Sequence, residues 1–171
     1  MFKPEKSEYD PYYDTYISLV KEDDILAVLA GQPGELQNLL ARMPEERGMF
    51  AYAEGKWTIK ELLGHLIDGE RMFAYRTFRI SRGDKTPIEG FEQDGYIENA
   101  RANSRSFAGL IEEFTLLRNA NMLFFKNLSD EDWLRTGTAN NVNISVRALA
   151  YIMAGHITHH LNILRTRYLA G

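Results

Sequence analysis

Gly155-His156-Ile157-Thr158-His159-His160-Leu161-Asn162-Ile163-Leu164 decides how this chain is read. It holds three of the protein's four histidines. The apolar residues around it, Val146, Leu149, Ile152, Met153, Ile163 and Leu164, recur at helical spacing and place His156 and His160 on their buried side. Residues four apart stack one turn above the other. Two imidazoles so stacked can hold one metal ion, with ring nitrogens about 2.0–2.1 Å from it if it is zinc. His156 with His159 is also allowed by spacing. A third ligand has to come from elsewhere, and the remaining histidine, His65, lies on a second apolar helical stripe. A lone histidine on such a face is ordinarily a core residue with one hydrogen bond. Two stacked inside a core without a partner would cost much desolvation. With every histidine in two apolar helical segments, a three-histidine site is the favoured reading.

The segment carrying His65 has a marked beginning. Thr58 is a good N-cap, Glu61 stands three residues on in a capping box, and Trp57 with Leu62 can form a hydrophobic staple. The helix runs to about residue 80 with Gly83 just past its end. Its His65 face also carries Leu62, Asp68, Gly69, Met72 and Arg76. Arg71, Arg76, Arg79 and Arg82 thicken toward the C-terminal end, where the helix dipole favours cations.

Further out, residues 1–22 form a polar arm with Tyr9, Tyr12, Tyr13 and Tyr16, read as packing on the bundle. From residue 23 a helical period is interrupted by Gly31, Pro33 and Gly34, giving one kinked helix or two short ones. Residues 83–95 form a loop, and a third helix carries the stripe Phe107, Leu110, Ile111, Phe114, Leu117, Phe124 and Leu128. Ser129 and Asp132 start a short turn with Trp133, and 136–143 reads as a polar loop. The expected architecture is all-α: one domain over 1–171, an up-and-down type four-helix bundle with helices near 23–43, 58–81, 97–127 and 144–169. Bundles build metal sites from facing helices, so the second helix can offer His65 to the fourth.

Composition limits the function. The chain has 171 residues, is 44% hydrophobic and 26% charged, and carries a net charge of −4, so no general attraction to nucleic acid or anionic membrane is expected. It has no cysteine, which excludes disulfides and thiolate ligands. The N-terminal residues show no apolar signal segment, and no apolar run reaches the ~20 residues that span a bilayer. A cytoplasmic protein is the expectation.

The segment 55–68 with Glu70-Arg71, and the segment 155–161, resemble the helix-2 and helix-4 motifs of the DinB/YfiT-like superfamily, and the similarity extends over nearly the whole chain. The resemblance implies a four-helix bundle, often a homodimer, with a divalent metal (zinc or nickel) held by three histidines. Matched position by position these are His65, His156 and His160, with His159 outside the ligand set. Many members are named as candidate metal-dependent hydrolases. The better understood ones are thiol S-transferases or isomerases using a low-molecular-weight thiol such as bacillithiol or mycothiol.

A three-histidine metal with open positions can lower the pKa of bound water toward 7 or hold a thiol as thiolate. The favoured expectation is thiol transfer to a small electrophile. The alternatives are hydrolysis by metal-bound hydroxide and, in another class, a non-catalytic metal-binding protein. Asp68, one turn after His65, is the candidate catalytic carboxylate, its structural alternative being a partner for Arg71 or Arg76. Tyr96 and Arg118 are weaker candidates for substrate contact. Ligand histidines must be neutral, so metal binding is expected to weaken as pH falls through about 6.

Overall fold

In the computed structural model, residues 3–169 are described. The first two residues of the expected arm and the last two of the expected domain lie outside them. The arm forms two short 3-10 turns and α1, Asp14–Ile17. α2 is Ile25–Leu40, capped by Asp24, whose side chain accepts from the Ala27 amide. It stays one continuous helix, with Pro33 inside it. α3, Ile59–Ser81, opens with the expected capping box, the Thr58 hydroxyl accepting from the Glu61 amide and the Glu61 carboxylate from the Thr58 amide.

Two expectations change beyond α3. The third helix is broken into α4, Gln93–Ala100, and α5, Phe107–Phe125. Arg101 takes a left-handed conformation (φ 51°) between them, and Ser106 caps α5 through the Gly109 amide. The expected polar loop at 136–143 is instead a hairpin. β1, Thr136–Ala139, pairs antiparallel with β2, Val142–Ser145, around Asn140 and Asn141, both at positive φ. Positive φ at both central residues is what a two-residue type I′ turn requires, and Asn tolerates it. α6, Asp130–Leu134, precedes the hairpin, and α7, Val146–Ile163, follows it, capped by Ser145. One π-helical turn, Leu164–Tyr168, closes the described chain.

The four long helices, α2, α3, α5 and α7, bury the core between them, forming a four-helix bundle. α3 packs on α5 and α7, and α2 packs on the same two. Leu36, Leu62, Leu66, Leu110 and Phe114 fill one end with Leu161 and Leu164, while Leu29, Ile80, Phe125, Ile152 and Met153 fill the other. α1 lies against α7. A Cβ at Gly155 would stand 2.1 Å from the Tyr16 carbonyl oxygen, so only glycine lets the arm approach this closely. The arm is also pinned by Glu8, which accepts from the Ser145 hydroxyl (2.7 Å) and pairs with Arg147. Among the described residues no helix is long and apolar enough to cross a membrane.

Candidate metal centre

α3 and α7 face each other across the bundle and bring His65, His156 and His160 together. All three are buried, at 5%, 5% and 7% exposure. One ring nitrogen from each lies within 4.8 Å of the others, and the Nε2 atoms of His65 and His156 are 2.9 Å apart. Among the described residues, no carboxylate or further histidine joins the group. The neighbours are aromatic or small. Trp57 packs on His65 (centroids 4.9 Å), and Tyr16 and Phe73 pack on His156 (5.5 and 5.6 Å). Gly69 backs His156, where a Cβ would meet the ring at 3.0 Å.

These surroundings fix the protonation state. Burial pushes His65 down to about 4, with the neighbouring His159 acting in the same direction. His156 and His160 are held well below the usual imidazole value, burial again being the main cause and neighbouring imidazoles the next. Three neutral imidazoles therefore converge at neutral pH. One shared proton can satisfy the His65–His156 contact, but the buried Nδ1 of His160 has no hydrogen-bond partner. A buried polar atom without a partner is costly, and a cluster of neutral imidazole lone pairs is the donor set that divalent zinc or nickel prefers. The residues thus fit a divalent metal. His159 stands apart: half-buried, its ring lies against Tyr16 (5.7 Å) and His160 (5.0 Å), outside the converging group.

The group is reached from two sides. His65 and His156 line a cleft of about 450 Å³ walled by Tyr12, Tyr13, Tyr16, Phe73 and Phe91, with Arg76 and Asn140. His160 lines a second cleft of about 310 Å³ with Tyr52, Trp57 and Tyr168. The hairpin shapes the first cleft. Ile88 bridges β1, its amide donating to the Thr138 carbonyl (2.9 Å) and its carbonyl accepting from the Asn140 amide (2.8 Å), and this fixes the loop that carries Phe91.

The other sequence candidates separate. Asp68 and Tyr96 both line a neighbouring cleft of about 520 Å³ with Glu92, Gly95 and Asn99. Glu92 lines both this cleft and the one beside His65. Burial raises the Asp68 carboxyl, Arg71 opposes and Glu113 adds to the rise. Asp68 pairs with neither Arg71 nor Arg76; Arg71 pairs with Glu113 instead. Arg118 is not a substrate contact. It is fully buried and forks onto Glu70, Nε to Oε1 at 2.9 Å and Nη2 to Oε2 at 2.7 Å. Its Nη1 donates to the Leu29 carbonyl and Gln32 Oε1, both at 2.8 Å, so its donors are spent inside the core. Tyr13, Tyr16, Arg76, Phe91 and Asn140 join the site from the arm, α3, the 83–95 loop and the hairpin. Arg76 was legible in part, since it shares the His65 face of α3.

Fold and cluster together define a helical bundle with a buried three-histidine pocket open to two clefts. The DinB superfamily profile matches residues 29–164, and the chain belongs to that superfamily. It is 24% identical over 129 residues to YfiT of Bacillus subtilis (strain 168), a protein named as a candidate metal-dependent hydrolase, over 75% of this chain and 71% of YfiT. The solved structure of YfiT, described as having an unusual four-helix bundle topology, superimposes with a TM-score of 0.74 at 18% identity, covering 96% of this chain and 92% of YfiT. The crystal structure of a mycothiol-dependent maleylpyruvate isomerase matches with a TM-score of 0.69 at 12% identity. That match covers 85% of this chain and 61% of the isomerase.

Proposed function

We propose that this protein is a metal-dependent enzyme acting on small molecules, with His65, His156 and His160 as the metal ligands and transfer of a low-molecular-weight thiol to an electrophile as its reaction. The observation that carries the reading is the convergence of three buried, neutral imidazoles without a carboxylate, beside clefts that admit a small molecule. A structural zinc site is ordinarily closed by four protein ligands, whereas three leave a position for reactants. When bound, the metal supplies Lewis acidity that activates the nucleophile. The chain does the rest: the tyrosines and Phe73 wall the cleft beside the triad against water, and Asp68, raised by burial, can accept a proton in the adjoining cleft that Glu92 shares with it. The likeness to the mycothiol-dependent isomerase supports a thiol cosubstrate. The name of YfiT supports a second reading, hydrolysis of an ester or amide.

Two experiments test this. Zinc or nickel content is measured for the protein and its single His→Ala variants. Loss of metal in H65A, H156A and H160A, with H159A retaining it, is expected; metal lost in H159A and kept in H160A sinks the ligand set. Because burial holds the triad's protons off, metal is expected to stay bound at pH 5.5, a unit below the ordinary imidazole value of 6.5, rather than weakening near pH 6 as exposed histidine ligands would. The loaded protein is then offered electrophiles with and without bacillithiol or a related thiol. Thioether or isomerised product only with thiol supports transfer; turnover of esters or amides without thiol selects hydrolysis.

A further inference from the structure

Among the described residues, Arg76 is the one cation lining the cleft beside the histidine triad. It is 4% exposed, and no carboxylate pairs with it among the described residues. Its Nη2 donates to the Glu89 carbonyl at 3.3 Å, the Tyr13 hydroxyl lies beside it, and the Phe91 ring is 6.0 Å away. Its Nε is buried without any partner. Arg118 shows how this fold otherwise treats a buried guanidinium, with a bidentate carboxylate and two carbonyl oxygens. A guanidinium stays charged in proteins, and burying a charge unpaired is expensive. The missing partner at Arg76 is one negative charge of planar, forked geometry, and the cleft is where it can enter.

The carboxylate on the cleft wall, Glu92, is engaged elsewhere. It caps α4, accepting from the Asp94 and Gly95 amides at 2.9 and 2.7 Å. The other walls are the rings of Tyr12, Tyr13, Tyr16, Phe73 and Phe91. Arg76 stands eleven residues after His65 on the same face of α3, roughly 16 Å along the axis, and a helical side chain leans back toward the N-terminus. The site is thus elongated: the triad at one end, a lone fork of donors toward the other, aromatic rings between.

We propose that Arg76 anchors a carboxylate of the small-molecule substrate, so that the enzyme acts on an elongated organic acid whose reactive carbon is held toward the triad. This rests on the reading of the cleft as the substrate site. Equilibrium binding to the metal-free protein tests the anchor apart from catalysis. The probes are 4-phenylbutanoate and its neutral isostere 4-phenylbutanamide, followed by calorimetry or ligand-observed NMR. The acid is expected to bind at least about tenfold more tightly than the amide, as a charge-assisted fork requires. In R76Q that preference should vanish; R76K, a point charge without the fork, should retain only part of it. Circular dichroism checks that each variant is folded, and if R76Q is not, R76K and the wild-type preference decide. Equal binding of acid and amide to the wild type, no binding of either, or an undiminished preference in R76Q or R76K overturns the anchor. A protein that prefers the acid through Arg76 yet takes up no metal keeps the anchor and removes the metal reading; the reverse removes the anchor alone.

Discussion

Burying an arginine completely requires that every donor be spent, and Arg118 meets that requirement by joining three helices. From α5 it reaches Glu70 on α3 and both Leu29 and Gln32 on α2. Gln32 passes the connection to α7 through the Ala154 carbonyl at 2.7 Å, two residues before His156. Asn121 adds a third donor to Glu70 at 2.7 Å. Such a pair is not in itself strong evidence of stability, because both ions were taken out of water to make it. Cutting it in half is another matter, since the remaining charge stays buried. E70Q and R118M are each expected to lose about 3–5 kcal/mol of unfolding free energy, read by urea titration. The E70Q/R118M double variant should cost less than the two losses added together. An additive double variant would show that the two residues do not act as a pair. Nothing in the sequence distinguished this arginine from a substrate-binding one. Arg118 carries no local signal of burial, and its partner lies 48 residues away.

Local signals served better where the physics is local. The start of α3 was legible because a capping box is written in residues three apart, and α7 was legible because its apolar period is long. The break between α4 and α5 was missed, although Ser106 three residues before Gly109 is an N-cap signal; the long stripe beginning at Phe107 masked it. The hairpin is weakly written: β1, Thr-Gly-Thr-Ala, has little apolar alternation, and β2, Val-Asn-Ile-Ser, alternates over only four residues before the last helix, which leaves Asn140-Asn141 as the turn signal. α1 packs on the bundle, but its closeness to α7 is a tertiary fact held by Gly155. G155A should push α1 outward, destabilise the protein by about 1–3 kcal/mol as overpacked sites do, and speed tryptic cleavage at the exposed Lys21. Acid should loosen the same contact. Burial tends to raise the Glu8 carboxyl, yet hydrogen bonds from Arg147 and Ser145 outweigh it and hold the group below its ordinary value of 4.5. A carboxyl lowered by folding contributes stability that is present above the unfolded pKa and lost as pH falls through the folded one. Unfolding free energy should therefore fall below about pH 4.5 by more in the wild type than in E8Q, the difference being about 1 kcal/mol.

The order of helices around the bundle is what lets one chain build a site between its second and fourth long helices. α3 packs on α5 and α7, and α2 packs on the same two, so the ring of helices closes with the His65 face of α3 against α7. The same arrangement turns the outer faces of α3 and α5 to solvent with more apolar surface than an isolated bundle needs. Tyr75 and Phe78 on α3 are about half exposed, and Leu116 and Leu123 on α5 are 62% and 69% exposed. Leu116 and Leu123 are seven apart, two turns along one stripe, with the shallow apolar cleft around Leu117 and Ala120 beside them. Contiguous apolar surface of this kind marks association sites more often than scattered single residues do. The homodimer expected from the resemblance to the superfamily is therefore predicted to use this face. Light scattering at micromolar concentration should give twice the mass of a 19.7 kDa chain. L116E/L123E should return the single mass with the helical content unchanged, because both side chains already point to water in the monomer and an isologous interface would bury the new charges in opposed copies. A wild-type chain that scatters as a monomer removes the dimer, and a dimer indifferent to L116E/L123E moves its interface to another face.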